Sequence, residues 1–158
     1  MAIINFVIQA FHNSLQNSFS NLYLIIILNL FFLFATYTDL KYMKIYDKFN
    51  AVMLTTRLLS FFIIGGFKFD YLFGGIILFA VFLLGAVMTG DNIAGDIKFA
   101  GNIGLWCGLI PSVIIIFFTL LLNLIFRFVF KLKKKIPLAP YFYAGYIILG
   151  LYFFLCVY

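Results

Sequence analysis

Polar and charged residues interrupt the chain at intervals that leave six long apolar runs. These runs cover residues 22–38, 49–65, 71–89, 95–109, 112–129 and 138–158. A helix that crosses a bilayer needs about 20 predominantly apolar residues, so the pattern predicts six membrane helices. The fourth run is the weakest candidate, because its length at about 1.5 Å per residue barely crosses the hydrocarbon. Pro111 is expected to separate the fourth helix from the fifth, since proline breaks a helix.

The composition supports a membrane protein. Of the 158 residues, 66% are hydrophobic and 10% are charged, whereas soluble proteins carry about 25% charged residues. We predict an all-α, polytopic membrane protein with about six transmembrane helices, in which residues 1–158 form a single membrane-embedded domain. Residues 1–20 are less apolar and could be an interfacial helix or the start of the first span. The first lysine is Lys41, so no basic region of a cleaved signal precedes the first run.

The basic residues fall on alternate connections between the apolar runs. The first, third and fifth connections and their borders hold nine of the eleven lysines and arginines, namely Lys41, Lys44, Lys48, Lys98, Arg127, Lys131, Lys133, Lys134 and Lys135. The positive-inside rule places this side in the cytoplasm. We therefore expect a cell (inner) membrane protein whose N- and C-termini face outward. Nucleic acid is not an expected partner despite the net charge of +6, because the charges form short clusters beside apolar runs.

Two of the five acidic residues, Asp39 and Asp96, fall at matching depths. Asp39 follows the first run and Asp96 opens the fourth, so the topology puts both at cytoplasmic helix ends. Two neighbouring carboxylates cannot both ionise cheaply, and one then keeps a proton, as in aspartic proteases. Gly95 lets the backbone approach another chain closely beside Asp96. The alternatives are that Asp96 only caps the fourth helix and that Asp39 pairs with Lys41 or Lys44.

Two further charged residues, Asp91 and Lys98, lie close to Asp96 in the sequence. Asp91 is a rival carboxylate, but on a helix it would lie about 140° away from Asp96, so both cannot face one partner. Asp96 ranks first because it has Gly95 beside it and Lys98 close behind. Lys98 either extends to the membrane interface or tunes the pair of aspartates, and the sequence favours neither role.

The remaining chemistry-bearing residues suggest structural roles or leave the role open. Asp47 is expected to be a solvated loop residue among lysines, and Asp70 is expected to cap the third helix on the outer side. Cys107 and Cys156 lie in apolar surroundings, where packing is the expected role, and no cluster of metal ligands is visible. We therefore predict neither a metal nor a cofactor. Arg57 lies within the second run, where a charge is a candidate functional residue, but its partner is not readable.

Three segments, taken together, resemble a known family. "GDIKFAGNIGLWCG" is similar to the GD-x-K segment of type IV prepilin peptidases, which are GxGD-type intramembrane aspartyl proteases. "TDLKYMKIYDKFN" resembles the segment around the other aspartate of that family, and "KKKIPLAPYFYAGYIILG" resembles its closing Ile-Pro-x-x-Pro helix. The likeness extends over roughly residues 30–150, in the same order.

The resemblance implies catalytic roles for Asp39 and Asp96, supported by Gly95 and Lys98, and an active site on the cytoplasmic side. It implies cleavage of a pilin or pseudopilin precursor ahead of its hydrophobic N-terminal helix, within a pilus or secretion assembly. The chain lacks the cysteine-rich loop of members with a methyltransferase domain. It therefore resembles the short, peptidase-only form of Flp/Tad-type pilus systems, and no N-methylation is expected.

The chain departs from the family pattern in two places. Ile93 stands where the first glycine of GxGD is usual, which bears on how tightly the loop before Asp96 folds. Tyr46 and Asp47 stand where proline and asparagine are usual, at the start of the second helix. Two non-enzymatic hypotheses stay open beside the protease. One is a small membrane transporter, since intramembrane acids also relay protons, and the other is an inactive pilus-assembly scaffold.

Overall fold

Residues 21–157, where the structure describes them, form a bundle of six α-helices. The computed structural model describes residues 9, 12, 13, 16, 21–89, 94–131 and 136–157. The helices are α1 (Leu22–Tyr42), α2 (Asp47–Ile63), α3 (Phe69–Thr89), α4 (Ala94–Cys107), α5 (Leu109–Phe130) and α6 (Ala139–Val157). Each predicted apolar run coincides with one helix, so the all-α architecture is confirmed. The possible interfacial helix at residues 1–20 lies almost entirely outside the described residues.

Three of the described helices are long and apolar enough to cross a membrane. They are Leu22–Tyr42, Phe69–Met88 and Leu109–Phe130, and Ala139–Leu155 is apolar but shorter. The other two helices are α2, with 17 residues, and α4, with 14 residues. The structure thus supports a membrane protein, and three of the six helices in its described part meet the full criteria for a span.

The break between α4 and α5 lies at Gly108, and the prediction that Pro111 separates them is wrong. Gly108 has φ +83°, in the left-handed region that glycine adopts without steric cost. Pro111 is the third residue of α5. The first-turn amides of a helix have no intrahelical acceptor, so proline is tolerated there. Gly108 therefore forms the connection between α4 and α5.

Glycines let α3 and α4 pack with their backbones almost in contact. A Cβ atom added at Gly104 would overlap the backbone of Gly74, and one added at Gly74 would lie 2.7 Å from the Gly104 carbonyl oxygen. Gly75 and Gly101 continue this face, with neighbours within 3.2 Å of an added Cβ. Small residues are the usual means of close helix packing in membranes. As a result α4 lies deep in the bundle, with ten of its 14 residues buried.

Cross-helix contacts fix the directions of the helices. α2 and α4 run in the same direction, because Lys98 contacts Asp47 and Trp106 contacts the Met53 carbonyl. α1 and α6 run in opposite directions, because Asp39 contacts Ala139 and Phe32 contacts Tyr146. α5 and α6 are also antiparallel, because Thr119 donates to the Tyr141 carbonyl and Gly145 packs against the Ile115 carbonyl. One end of the bundle therefore combines the end of α1 with the starts of α2, α4 and α6. We call it the aspartate end, because it contains Asp39 and Asp96.

One buried amide is unsatisfied and predicts a stabilising substitution. Asn123 on α5 is only 9% exposed, and its Nδ2 has no hydrogen-bond partner among the described residues. Since such a group costs about 1–3 kcal/mol, we expect Asn123→Leu to raise the unfolding temperature in detergent. Asn102→Leu is the matched control and should lower it, because the Asn102 amide donates to Asn50. Equal shifts in both variants would contradict this account.

Candidate active site

Asp39 lies in the last turn of α1, and its carboxylate is held by another helix. It is 4% exposed, and its Oδ2 accepts a hydrogen bond of 2.8 Å from the backbone N–H of Ala139, the first residue of α6. The first amides of a helix lack internal acceptors and carry positive partial charge. The carboxylate of Asp39 thus caps α6 from a distance of 100 residues in sequence. Lys41, one of the two lysines considered as an alternative partner, donates from Nζ to the Tyr37 hydroxyl.

Asp96 lies in the first turn of α4 and is 9% exposed. The residue before it, Gly95, packs directly under the segment that follows α1. A Cβ atom added at Gly95 would lie 2.5 Å from the carbonyl oxygen of Ile45, so only glycine fits this crossing. The expectation that Gly95 permits close approach beside Asp96 is therefore met by a specific contact. It brings the start of α4 against the chain just beyond Asp39.

A layer of three aromatic rings lies between the helices that carry the two aspartates. Phe32 of α1 contacts Phe99 of α4, with ring centroids 5.6 Å apart, and Phe99 contacts Phe142 of α6 at 5.8 Å. All three side chains are fully buried. Asp39 follows Phe32 by about two helical turns, and Asp96 precedes Phe99 by about one, so each lies on the same helix face as its phenylalanine. Both aspartates therefore lie on the same side of this layer, at the aspartate end.

Lys98 is paired with Asp47 at the edge of the site. The Lys98 Nζ lies 2.7 Å from Asp47 Oδ1, and the two side chains are 44% and 70% exposed. Asp47 is the first residue of α2 and not the loop residue expected. An exposed ion pair of this kind contributes little stability, about 0–1 kcal/mol. It links the start of α2 to the first turn of α4, two residues from Asp96.

Arg57 belongs to a cluster at the opposite end of the bundle. It is 4% exposed and donates from Nε to the carbonyl of Leu105 at 3.0 Å. Its guanidinium carbon lies 4.3 Å from the ring centre of Phe61, 4.5 Å from that of Tyr71 and 5.4 Å from that of Trp106. These are cation–π distances. The partners that the sequence could not show are thus aromatic faces and a carbonyl, which tie α2, α3 and α4 together.

The remaining acidic residues and cysteines lie away from the two candidate catalytic aspartates or outside the described part of the chain. Asp91 and Ile93 lie outside the described residues. Asp70 lies in the first turn of α3, and a Cβ atom at Gly108 would meet its carboxylate. Cys107 is buried, as expected for packing. Among the described residues, no group of three or more histidine, cysteine or acidic side chains could hold a metal ion.

An apolar groove of about 850 Å³ runs between α1 and α2. Its walls and one polar end are formed by Leu30, Phe31, Phe34, Tyr46, Asp47, Lys48, Phe49 and Val52. Phe31 also contacts Trp106 of α4, with ring centroids 5.7 Å apart. Phe31 therefore joins the wall of the groove to the last turns of α4, at the end of that helix remote from Asp96.

Sequence reasoning did not identify two contributors to this site. Ala139 lies in the segment that resembles the closing helix of the family. It binds Asp39 through its backbone N–H, a group that every residue except proline has, so its residue type gives no indication of this role. Asn50 donates from Nδ2 to the Gly95 carbonyl at 3.2 Å. The sequence does point to Asn50, because an asparagine within an apolar helix is costly to bury without a hydrogen-bond partner.

Comparison with known proteins adds one match. A sequence model of the type IV leader peptidase family matches residues 26–128. The matched segment contains Asp39, Asp96 and the aromatic positions Phe32 and Phe99, and it ends before α6. Among curated proteins and solved structures, no match to the chain was found.

Proposed function

Since this chain belongs to the type IV leader peptidase family, we propose that it is a membrane aspartyl endopeptidase that cleaves the leader from type IV pilin-like precursors. Family membership supports a protease. The observation that carries the aspartyl mechanism is that Asp39 and Asp96 are both buried at the aspartate end, on one side of the aromatic layer. Buried carboxylates in an apolar bundle are costly, which favours a function for the pair.

In the proposed reaction, the two carboxyl groups share one proton. The ionised carboxylate takes a proton from a water molecule as the water oxygen attacks the scissile carbonyl carbon. The protonated carboxyl group donates its proton to the carbonyl oxygen, giving a tetrahedral diol. The C–N bond then breaks as a proton passes to the leaving nitrogen, and the new carboxyl terminus and amine are released. This chemistry requires neither a metal nor a cofactor.

The substrate class follows from the family and fits the surroundings of the site. A precursor with a hydrophobic N-terminal helix needs an apolar surface beside the two aspartates. The groove between α1 and α2 is apolar, and its polar end, formed by Asp47 and Lys48, lies at the aspartate end of the bundle. The basic residues near the aspartate end, such as Lys41, Lys44 and Arg127, favour a cytoplasmic location for it. We thus infer cleavage at the cytoplasmic face of the cell membrane, within a pilus or secretion assembly.

Co-expression with a pilin-like precursor from the same genome tests this function. We expect the precursor to shift to a smaller size on a gel with the wild-type chain and to stay uncut with Asp96→Asn. A shift in both lanes would contradict the role of Asp96. With precursor confirmed in the membrane, no shift in either lane would overturn the protease. Co-purification of uncut precursor would then favour a scaffold, and proton-dependent uptake into vesicles a transporter.

A further inference from the structure

The helix that carries Asp96, α4, has low intrinsic stability, including in its first turn. α4 is 14 residues long and contains Gly95, Gly101 and Gly104. Glycine is among the poorest helix formers, and isolated helices of this length are marginal. The position of the first turn of α4 must therefore depend on contacts from neighbouring helices.

Asn50 of α2 provides a buried polar contact to that turn. It is 4% exposed, and its Nδ2 donates to the Gly95 carbonyl at 3.2 Å. Asn102, about two helical turns further along α4 than Gly95, donates from Nδ2 to the Asn50 backbone carbonyl at 3.0 Å and to the Asn50 Oδ1 at 3.3 Å. One side chain thus joins two successive parts of the α4 face.

The second contact fixes the orientation of the first. An amide group has one accepting oxygen and one donating nitrogen. Because Asn102 donates to the Asn50 oxygen, the Asn50 nitrogen is directed to the Gly95 carbonyl. The reversed orientation would set two NH₂ groups against each other and two oxygens together. The Asn50 amide is therefore held in one orientation by residues on the same helix that it binds.

We propose that Asn50 is a positioning residue for Asp96, an inference that rests on the proposed function. The Gly95 carbonyl and the Asp96 N–H belong to one planar peptide unit. Holding this carbonyl fixes the plane from which the Asp96 side chain departs. The Ile45 carbonyl oxygen also packs against Gly95, 2.5 Å from the position of an added Cβ atom. Asn50 thus sets the orientation of the Asp96 carboxyl group through the Gly95 peptide and has no proton-transfer role of its own.

Two substitutions separate this role from general packing. Asn50→Asp keeps the shape and the oxygen that accepts from Asn102, but it replaces the donor to Gly95 with an acceptor. Asn102→Ala removes the Asn102 contact. The Asn50–Gly95 bond should remain, because the Gly95 carbonyl can accept only from the Asn50 nitrogen and so still favours the same amide orientation. We expect Asn50→Asp to lower kcat for precursor cleavage about 100-fold, the scale of a 1 Å misplacement, with KM within about twofold. Asn102→Ala should keep kcat within about threefold, even if it unfolds at a lower temperature.

Hydrogen exchange in the full-length protein gives a readout that does not need cleavage. Residues 98–101 follow the first turn of α4, whose carbonyls accept their helix hydrogen bonds. We expect faster exchange of these amides in Asn50→Asp than in Asn102→Ala. If the wild type cleaves precursor and Asn50→Asp stays within threefold of its kcat, the inference is overturned. If even the wild type does not cleave, the proposed function fails, and exchange alone decides: unchanged rates overturn the positioning role, and faster rates support it.

Discussion

Asp39→Asn is expected to abolish precursor cleavage and leave the helix bundle intact. Asparagine has nearly the same shape as aspartate, and its side-chain oxygen can still accept the N–H of Ala139. It cannot take a proton from water or share one with Asp96. Loss of general acid–base catalysis costs about 10²–10⁴-fold in rate, so we expect a fall of about 10³-fold or more. Cleavage of purified precursor in detergent, together with the unfolding temperature, measures both quantities.

Asp39→Ala is the matched comparison, because it removes the proton-transfer group and the cap together. The Ala139 N–H would then be buried without an acceptor, at a cost of about 1–3 kcal/mol. We expect both variants to be inactive and only Asp39→Ala to unfold at a clearly lower temperature. Full activity in Asp39→Asn would show that this residue acts only as the cap of α6. Equal destabilisation in both variants would show that the charge, and not the shape, supports the contact.

The fold was largely accessible from the sequence, because apolar runs set by the bilayer are a strong signal. The six helices between residues 22 and 157 coincide with the predicted runs, and the short fourth run corresponds to the buried helix α4. The error at Pro111 has a simple physical cause. Proline is disfavoured in a helix interior but tolerated in the first turn. A proline near a helix boundary can therefore lie either before the new helix or within its first turn. Gly108, with its positive φ, marked the true break.

The site was accessible only in part. Asp39 and Asp96 could be singled out, because carboxylates are rare in so apolar a chain and their depths match. The partners of these aspartates could not be predicted, since the contact of Asp39 with the Ala139 amide depends on how α1 and α6 cross. The pairing of Lys98 with Asp47 depends in the same way on α2 beginning at Asp47. Pairings between distant segments follow from helix packing, which residue types alone do not specify.

The largest loss of stability is expected from Gly104→Ala, in the contact between α3 and α4. The added methyl group would overlap the carbonyl of Gly74 and approach the amide of Gly75. These are backbone atoms, which cannot move aside by changing a rotamer, so the two helices must separate. Overpacking of this kind costs about 1–3 kcal/mol and occasionally more, and we expect the upper part of this range. Thermal unfolding in detergent and in lipid vesicles measures the effect.

Gly85→Ala is the control, since it makes the same substitution on α3, where an added Cβ meets nothing within 4 Å. Alanine is the better helix former by about 0.5–1 kcal/mol, so this variant should be neutral or slightly stabilised. The two variants also separate stability from function. Gly104 lies on the helix that carries Asp96, and moving α4 away from α3 would shift that carboxyl group relative to Asp39. We therefore expect Gly104→Ala to lose cleavage at temperatures where it is still folded, and unchanged cleavage there would show that α4 tolerates the displacement.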